Sequence, residues 1–130
     1  MEARKDGIRR WCDAINSDEW AARVAEFHDP AEQERFVEEH TPFRRAFAGY
    51  HFAIDGLIGE GDTVVTWGTV TARHVAEFPF GELKGVPATG KPVSWKEVWI
   101  ERFEGDRLVD FQLILDGVSR LQQLGALPPA

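Results

Sequence analysis

The spacing of apolar residues changes period once along this chain, between Phe47 and Tyr50, and that change constrains the fold more than any other feature. Before it the pattern is helical. Ile8, Trp11, Cys12 and Ile15 recur at the three-and-four spacing of one helix face between Glu2 and Ile15. Asn16-Ser17 interrupts that face, and Ser17 can cap a second helical segment carrying Trp20, Val24 and Phe27. Asp29 then reads as an N-cap, with Pro30 in the first helical position. A third helix follows with Phe36, Val37, His40, Phe43 and Phe47, and a bend is expected at Thr41-Pro42.

After the change the pattern alternates. Tyr50 to Ile58 places Tyr50, Phe52, Ile54 and Ile58 on one strand face, and Gly59-Glu60-Gly61-Asp62 has turn chemistry. Thr63 to Phe78 is rich in Val, Thr and Trp, and sixteen residues without a break predict a bulge or strong curvature. Pro79 to Pro92 holds three Pro and three Gly and reads as a loop at a pocket mouth or on the sheet edge. Pro92 to Phe103 and Leu108 to Asp116 are two further strands, and Gly117 to Gly125 a short helix. Helices first and strands after predict one α+β domain over residues 1–130. Its expected form is a cone-shaped, curved antiparallel sheet packed against the N-terminal helices, enclosing a small-molecule pocket.

Composition narrows the partners. The net charge of −7 argues against nucleic acid, whose phosphates require clustered Lys and Arg. The one basic cluster, Arg4, Lys5, Arg9 and Arg10, is interleaved with Glu2 and Asp6 and reads as a solvated helix face. Cys12 is the lone cysteine, so no intrachain disulfide can form, and its place on the apolar stripe reads as packing rather than catalysis. No secretion signal and no apolar run of about 18 residues is visible, which leaves no membrane partner and a cytoplasmic location as the expectation.

The last hairpin carries the chemistry. If Gly105-Asp106 is its turn, Glu104 faces Arg107, Trp99 opposes Gln112, Glu97 opposes Ile114 and Trp95 opposes Asp116. Alternation then puts Trp95, Glu97, Trp99, Gln112, Ile114 and Asp116 on one face. Val98, Ile100, Phe111, Leu113 and Leu115 fall on the other. Aromatic rings mixed with carboxylates and an amide suit a ligand pocket, because a sealed core rarely tolerates unpartnered acids. The aliphatic face is most simply covered by a second copy of the sheet, which predicts a homodimer.

Each candidate has a plainer reading. Asp116 can be an acid/base group, or the N-cap of the helix that starts at Gly117. Glu97 can line the pocket, or pair across the sheet with an arginine such as Arg73. Trp95 and Trp99 can line a cavity or fill a core. His28, His40 and His51 show no metal-ligand spacing. His74 falls on the opposite face from Tyr50, Phe52, Ile54 and Trp67 if Glu60-Gly61 is the first hairpin's turn, and then reads as a surface histidine unless a bulge intervenes. Nucleotide-binding, metalloprotease and serine-hydrolase signatures are absent, so nothing in the chain demands a metal or cofactor.

Four stretches taken in order carry a resemblance: Asp55-Gly-Leu-Ile-Gly-Glu-Gly-Asp62-Thr-Val; Thr69-Val-Thr-Ala-Arg-His74 with Glu77-Phe78; Gly85-Val-Pro-Ala-Thr-Gly-Lys-Pro-Val93; and Arg102-Phe-Glu-Gly-Asp-Arg-Leu-Val109, leading to Asp116 and Leu121-Gln-Gln-Leu-Gly-Ala-Leu127. They resemble the SnoaL-like polyketide cyclases, within the nuclear-transport-factor-like superfamily. The resemblance implies an α+β cone, commonly dimeric, with a hydrophobic pocket and no cofactor. It implies an aspartate on the last strand as acid/base for an intramolecular aldol closure, a position Asp116 matches, and a motif histidine that His74 matches. Two departures stand out. Asp110-Phe111-Gln112 replaces the family's Glu-His-Trp, and the tryptophan near Trp67 is shifted by one, with Gly68 in its place.

The leading expectation is therefore an acid/base cyclase or isomerase acting without a cofactor on a small, largely apolar, carbonyl-bearing substrate. Asp116 would take the proton, Trp67, Trp95 and Trp99 would hold the skeleton, and Gln112 or His74 would steady the enolate oxygen. Epoxide opening, with Asp116 assisted by Glu97, uses the same scaffold. A non-catalytic ligand-binding module is the third reading.

Overall fold

The computed structural model describes residues 1–129. Helix α1 spans Glu2–Ile15, and its stripe of Ile8, Cys12 and Ile15 is buried. The second segment splits into a short α2, Trp20–Arg23, and a 3₁₀ turn, Val24–Glu26. The α3 helix, Pro30–Ala46, opens where expected: the Asp29 side chain accepts the Glu32 backbone N–H at 2.9 Å, and Pro30 occupies the first turn. It continues through Pro42. Four antiparallel strands follow in the order β1-β2-β3-β4: Phe47–Glu60, Thr63–His74, Pro92–Glu104 and Arg107–Leu115. A last helix, α4 (Gly117–Gln123), packs on β3. The result is the expected α+β architecture, with helices against the inner face of one curved sheet.

Register decides which side chains meet. Phe52 pairs with Val70, Gly68 with Glu97, and Val70 with Trp95, so these residues share the inner face. Phe47, Phe52, Val64, Val70, Val93, Trp95, Trp99 and Phe103 form the sheet's share of the core. Gly68 is required there. A Cβ at this position would sit 2.2 Å from the Ala53 carbonyl oxygen and 2.5 Å from the Phe52 ring. The missing side chain lets Phe52 tip inward and stack on Trp99, centroid to centroid at 4.2 Å.

Three irregularities revise the expected faces. Glu60 pairs with Thr63, so the first turn is Gly61-Asp62 rather than Glu60-Gly61. This moves the pairing by two residues and keeps the faces; the one-residue slip between Ile54 and Gly56 then exchanges them, turning His74 inward beside Val70 and leaving Trp67 on the outer face. Strand β1 also bulges between Ala48 and His51, where Gly49 takes φ +66°, and between Ile54 and Gly56. The last hairpin turns at Gly105-Asp106 as expected, but the register slips between Arg102 and Phe103. Beyond that slip Trp99 faces Leu113 and Glu97 faces Leu115. A one-residue slip exchanges the two faces of a strand. Phe111, Leu113 and Leu115 therefore share the face of Trp95, Glu97 and Trp99, and Gln112 and Ile114 point outward.

Candidate active site

On β3 the inner face reads Val93, Trp95, Glu97, Trp99, Glu101 and Phe103, each buried. Period-two geometry places the two tryptophans on either side of Glu97, close enough for both indoles to reach it. Trp95 donates its Nε1–H to Glu97 Oε2 at 2.8 Å, and Trp99 donates to Oε1 at 3.1 Å. Each carboxylate oxygen thus has a fixed donor, which orients the group and offsets part of its desolvation. Glu97 remains only 6% exposed, walled by rings. Arg73, its expected partner, instead donates to the Gly90 carbonyl at 2.6 Å.

Groups from neighbouring elements stand around this cluster. The Tyr50 ring stands on β1, and burial, reinforced by the Glu97 carboxylate, pushes its phenol well above the ordinary tyrosine range. On the far side of Trp95, the Arg120 guanidinium of α4 lies 4.8 Å from the indole centroid and pairs with Glu82 at 3.1 Å. Arg44, near the end of α3, sits between the Tyr50 and Trp20 rings, 4.5 and 4.8 Å from their centroids. These residues border a slot of about 170 Å³ with Asn16, Asp18, Phe47 and Gly49.

Glu101 is the residue the sequence reading missed, although it continues the same alternation one step past Trp99. It is 1% exposed and accepts the Thr66 hydroxyl at 2.7 Å. Burial raises its pKa from the usual 4.5 to about 7, and the Thr66 bond pulls the other way. The buried Cys12 thiol is pushed up to about 12, by desolvation first and then by Glu101, so it is no nucleophile at neutral pH. Because Val64 pairs with Glu101 and Gly68 with Glu97, Glu101 lies nearer the β1–β2 turn, beyond Trp99.

The structure brings Trp95, Glu97 and Trp99 together and leaves the other expected site residues apart. His74 is buried on the inner face, its ring 5.2 Å from Phe47 and its Nδ1 accepting the Thr89 backbone N–H at 3.3 Å. Burial holds its pKa below the ordinary histidine value. The Phe47 ring, itself 5.4 Å from Trp95, separates His74 from the Glu97 group. Trp67 is 38% exposed on the outer face, and its ring covers Gly56. Beside it Lys96 bridges Asp55 (3.1 Å) and Thr69 (2.6 Å). Gln112 is exposed on that outer side.

Asp116 also departs from the expectation. It follows the last strand residue, is exposed, and its Oδ1 accepts the Ser119 backbone N–H at 3.0 Å as the N-cap of α4. The plainer of its two readings describes its geometry. Asp116→Ala is expected to cost about 1 kcal/mol in urea denaturation, the usual worth of an N-cap. Any turnover should change less than about threefold, since the exposed carboxylate caps α4 and makes no hydrogen bond to the Glu97 group.

Among the described residues no three His, Cys, Asp or Glu side chains are grouped to hold a metal ion. No helix is long and apolar enough to cross a membrane.

With this geometry in place, comparison with known proteins gives a consistent picture. A family profile described as SnoaL-like polyketide cyclase matches residues 6–124. AclR of Streptomyces galilaeus, provisionally described as a hydroxylase, is 25% identical with a TM-score of 0.78, covering 98% of this chain and 99% of its own. A protein of Acidithiobacillus ferrooxidans, provisionally described as a polyketide cyclase, is also 25% identical, with a TM-score of 0.76 and coverage of 95% and 94%. TsrD of Streptomyces laurentii shares the fold at 21% identity, with a TM-score of 0.76 and 98% of both chains covered. No curated protein sequence gives a significant match.

Proposed function

Because the chain belongs to the SnoaL-like polyketide cyclase family, we propose that it is a cofactor-free acid/base catalyst of cyclase or isomerase type, acting on a small, largely apolar, carbonyl-bearing substrate. Glu97, rather than Asp116, is the group assigned to take the proton. One observation carries this reading: a buried carboxylate on the cone's inner face, with an indole N–H on each oxygen and aromatic rings around it.

The chemistry follows from those parts. Glu97 removes a proton from the carbon alpha to the substrate carbonyl, and the C–H electron pair moves into an enolate. Tyr50, kept protonated by its setting, donates to the enolate oxygen. The enolate carbon then attacks a second carbonyl in the same molecule, and Glu97 returns its proton to the new alkoxide. Tethering the two reacting carbons in one pocket makes the closure unimolecular. Access runs from the slot beside Tyr50, whose ring turns aside to admit substrate. Glu101 is less suited to the role because it lies beyond Trp99, farther along β3 from the Tyr50 end of the sheet.

A test needs no knowledge of the natural substrate. Small aryl ketones incubated with the protein in D₂O should take up deuterium at the alpha carbon faster than in buffer, read by proton NMR. Uptake at the buffer rate across the whole panel would remove the proposal. The second reading, ligand binding without catalysis, draws on the close packing of rings around Glu97, and this measurement separates the two.

A homodimer through the outer sheet face completes the proposal. Ile58 (59% exposed), Trp67 (38%) and Ile114 (57%) stand out from that face with Val65, Val98 and Ile100. Ile114→Glu is expected to weaken self-association at least about tenfold in sedimentation, by placing an unpaired charge in an apolar contact, while circular dichroism stays unchanged. A wild-type chain that sediments as a monomer at high concentration would contradict the dimer.

A further inference from the structure

The slot beside Tyr50 holds a cation that makes no close ion pair. Arg44 is half-buried, and one guanidinium N–H donates to the Ile15 carbonyl at 2.7 Å. Among the described residues it forms no ion pair. The Trp20 and Tyr50 rings flank it at 4.8 and 4.5 Å, which fixes the planar group and screens its faces from water without neutralising it. A guanidinium held in this way presents its free edge, the geometry that accepts a carboxylate through two parallel hydrogen bonds. The Tyr50 ring stands beside it, while Phe47 is sealed behind the slot.

We propose that this slot is a receptor for a planar carboxylate, with Arg44 gripping the anion and the Tyr50 ring beside it supporting the ring system. The inference rests on the reading of the cone as a substrate site, since Tyr50 is shared by both, and it narrows the substrate class: a carbonyl compound that also carries a carboxylate. Asp18 borders the same slot and is the carboxylate whose field reaches Arg44. It lies exposed and opposes an incoming anion, so it sets an upper limit on affinity. Asn16 is held in place by Phe52, accepting its backbone N–H at 2.7 Å and donating to its carbonyl at 2.8 Å.

Benzoate and methyl benzoate differ in charge but hardly in shape, and they serve as the probe pair. Calorimetric titration of the full chain should give saturable benzoate binding at least about tenfold tighter than the ester, the scale of one charge-assisted hydrogen bond. Arg44→Met should abolish the preference, and Asp18→Asn should tighten benzoate binding about threefold while leaving the ester unaffected. Should Arg44→Met fail to fold, the wild-type acid-to-ester ratio and the Asp18→Asn response decide the matter. Equal binding of acid and ester, no saturable benzoate binding, or a preference that survives Arg44→Met would overturn the proposal. Carboxylate binding of this kind without any alpha-proton exchange would keep the receptor and discard the Glu97 chemistry. Exchange without carboxylate preference would do the opposite.

Discussion

Replacing Glu101 by glutamine is expected to stabilise the fold by roughly 2 kcal/mol near pH 8, while leaving it nearly unchanged near pH 4. The folded-state pKa of Glu101 stands at about 7 against 4.5 for an unperturbed glutamate. At about 1.4 kcal/mol for each pH unit, that difference is worth roughly 3 kcal/mol. Its sign is fixed by which state holds the proton. Below the unfolded value both states are protonated and nothing is lost. As pH rises from 4.5 to about 7 the unfolded chain ionises first, so stability falls through that window and then levels. Glutamine removes the ionisation, keeps an oxygen for the Thr66 hydroxyl, and gives back part of the gain by burying an amide. Urea midpoints for the two chains across that window measure the difference directly. Parallel curves would mean that the Glu101 carboxyl is already solvated in the native state.

Why retain a buried acid at such a cost? Its place on the Glu97 strand gives one answer in physical terms. The inner face carries two carboxylates four residues apart, with Trp99 between them. Both are removed from water, and only Glu97 has a donor on each oxygen. Sites that do acid/base work tolerate such groups where a purely structural core would not.

The second large effect belongs to Glu97. Glu97→Gln keeps the shape and one acceptor oxygen for an indole, but loses the base, and should lower any turnover by about 10²–10⁴-fold. The amide nitrogen cannot accept from the second indole, so a stability loss of about 1–3 kcal/mol accompanies it. Activity must therefore be compared at a temperature where both chains remain folded. The ratio of the two rates then isolates the proton transfer. A loss that tracks unfolding alone would assign Glu97 to structure.

How much of this was legible in the sequence depends on distance along the chain. Trp95, Glu97 and Trp99 could be placed on one face because period two is a local property of a strand, and no tertiary event intervenes between them. The same rule failed across the hairpin. The slip between Arg102 and Phe103 follows a turn that was read correctly, has no glycine at its centre, and exchanges every β4 side chain between faces. Gln112 and Asp116 were lost to the inner face by that one residue. In the first hairpin the signal was present: Gly49 and Gly56 stand where β1 bulges, and a glycine inside an alternating pattern marks such a site. The Arg44 slot was not readable at all, because two stretches distant in sequence, 16–20 and 44–50, meet to form it.

The central claim is that the proton moves to Glu97 on the inner face. Deuterium uptake alpha to the carbonyl of an aryl ketone, measured in parallel for Glu97→Gln and Asp116→Asn, tests it most directly. Exchange should fall to the buffer rate with Glu97→Gln and stay near native with Asp116→Asn. Native exchange in the first and none in the second would contradict it, and would move the chemistry to the exposed end of the last strand.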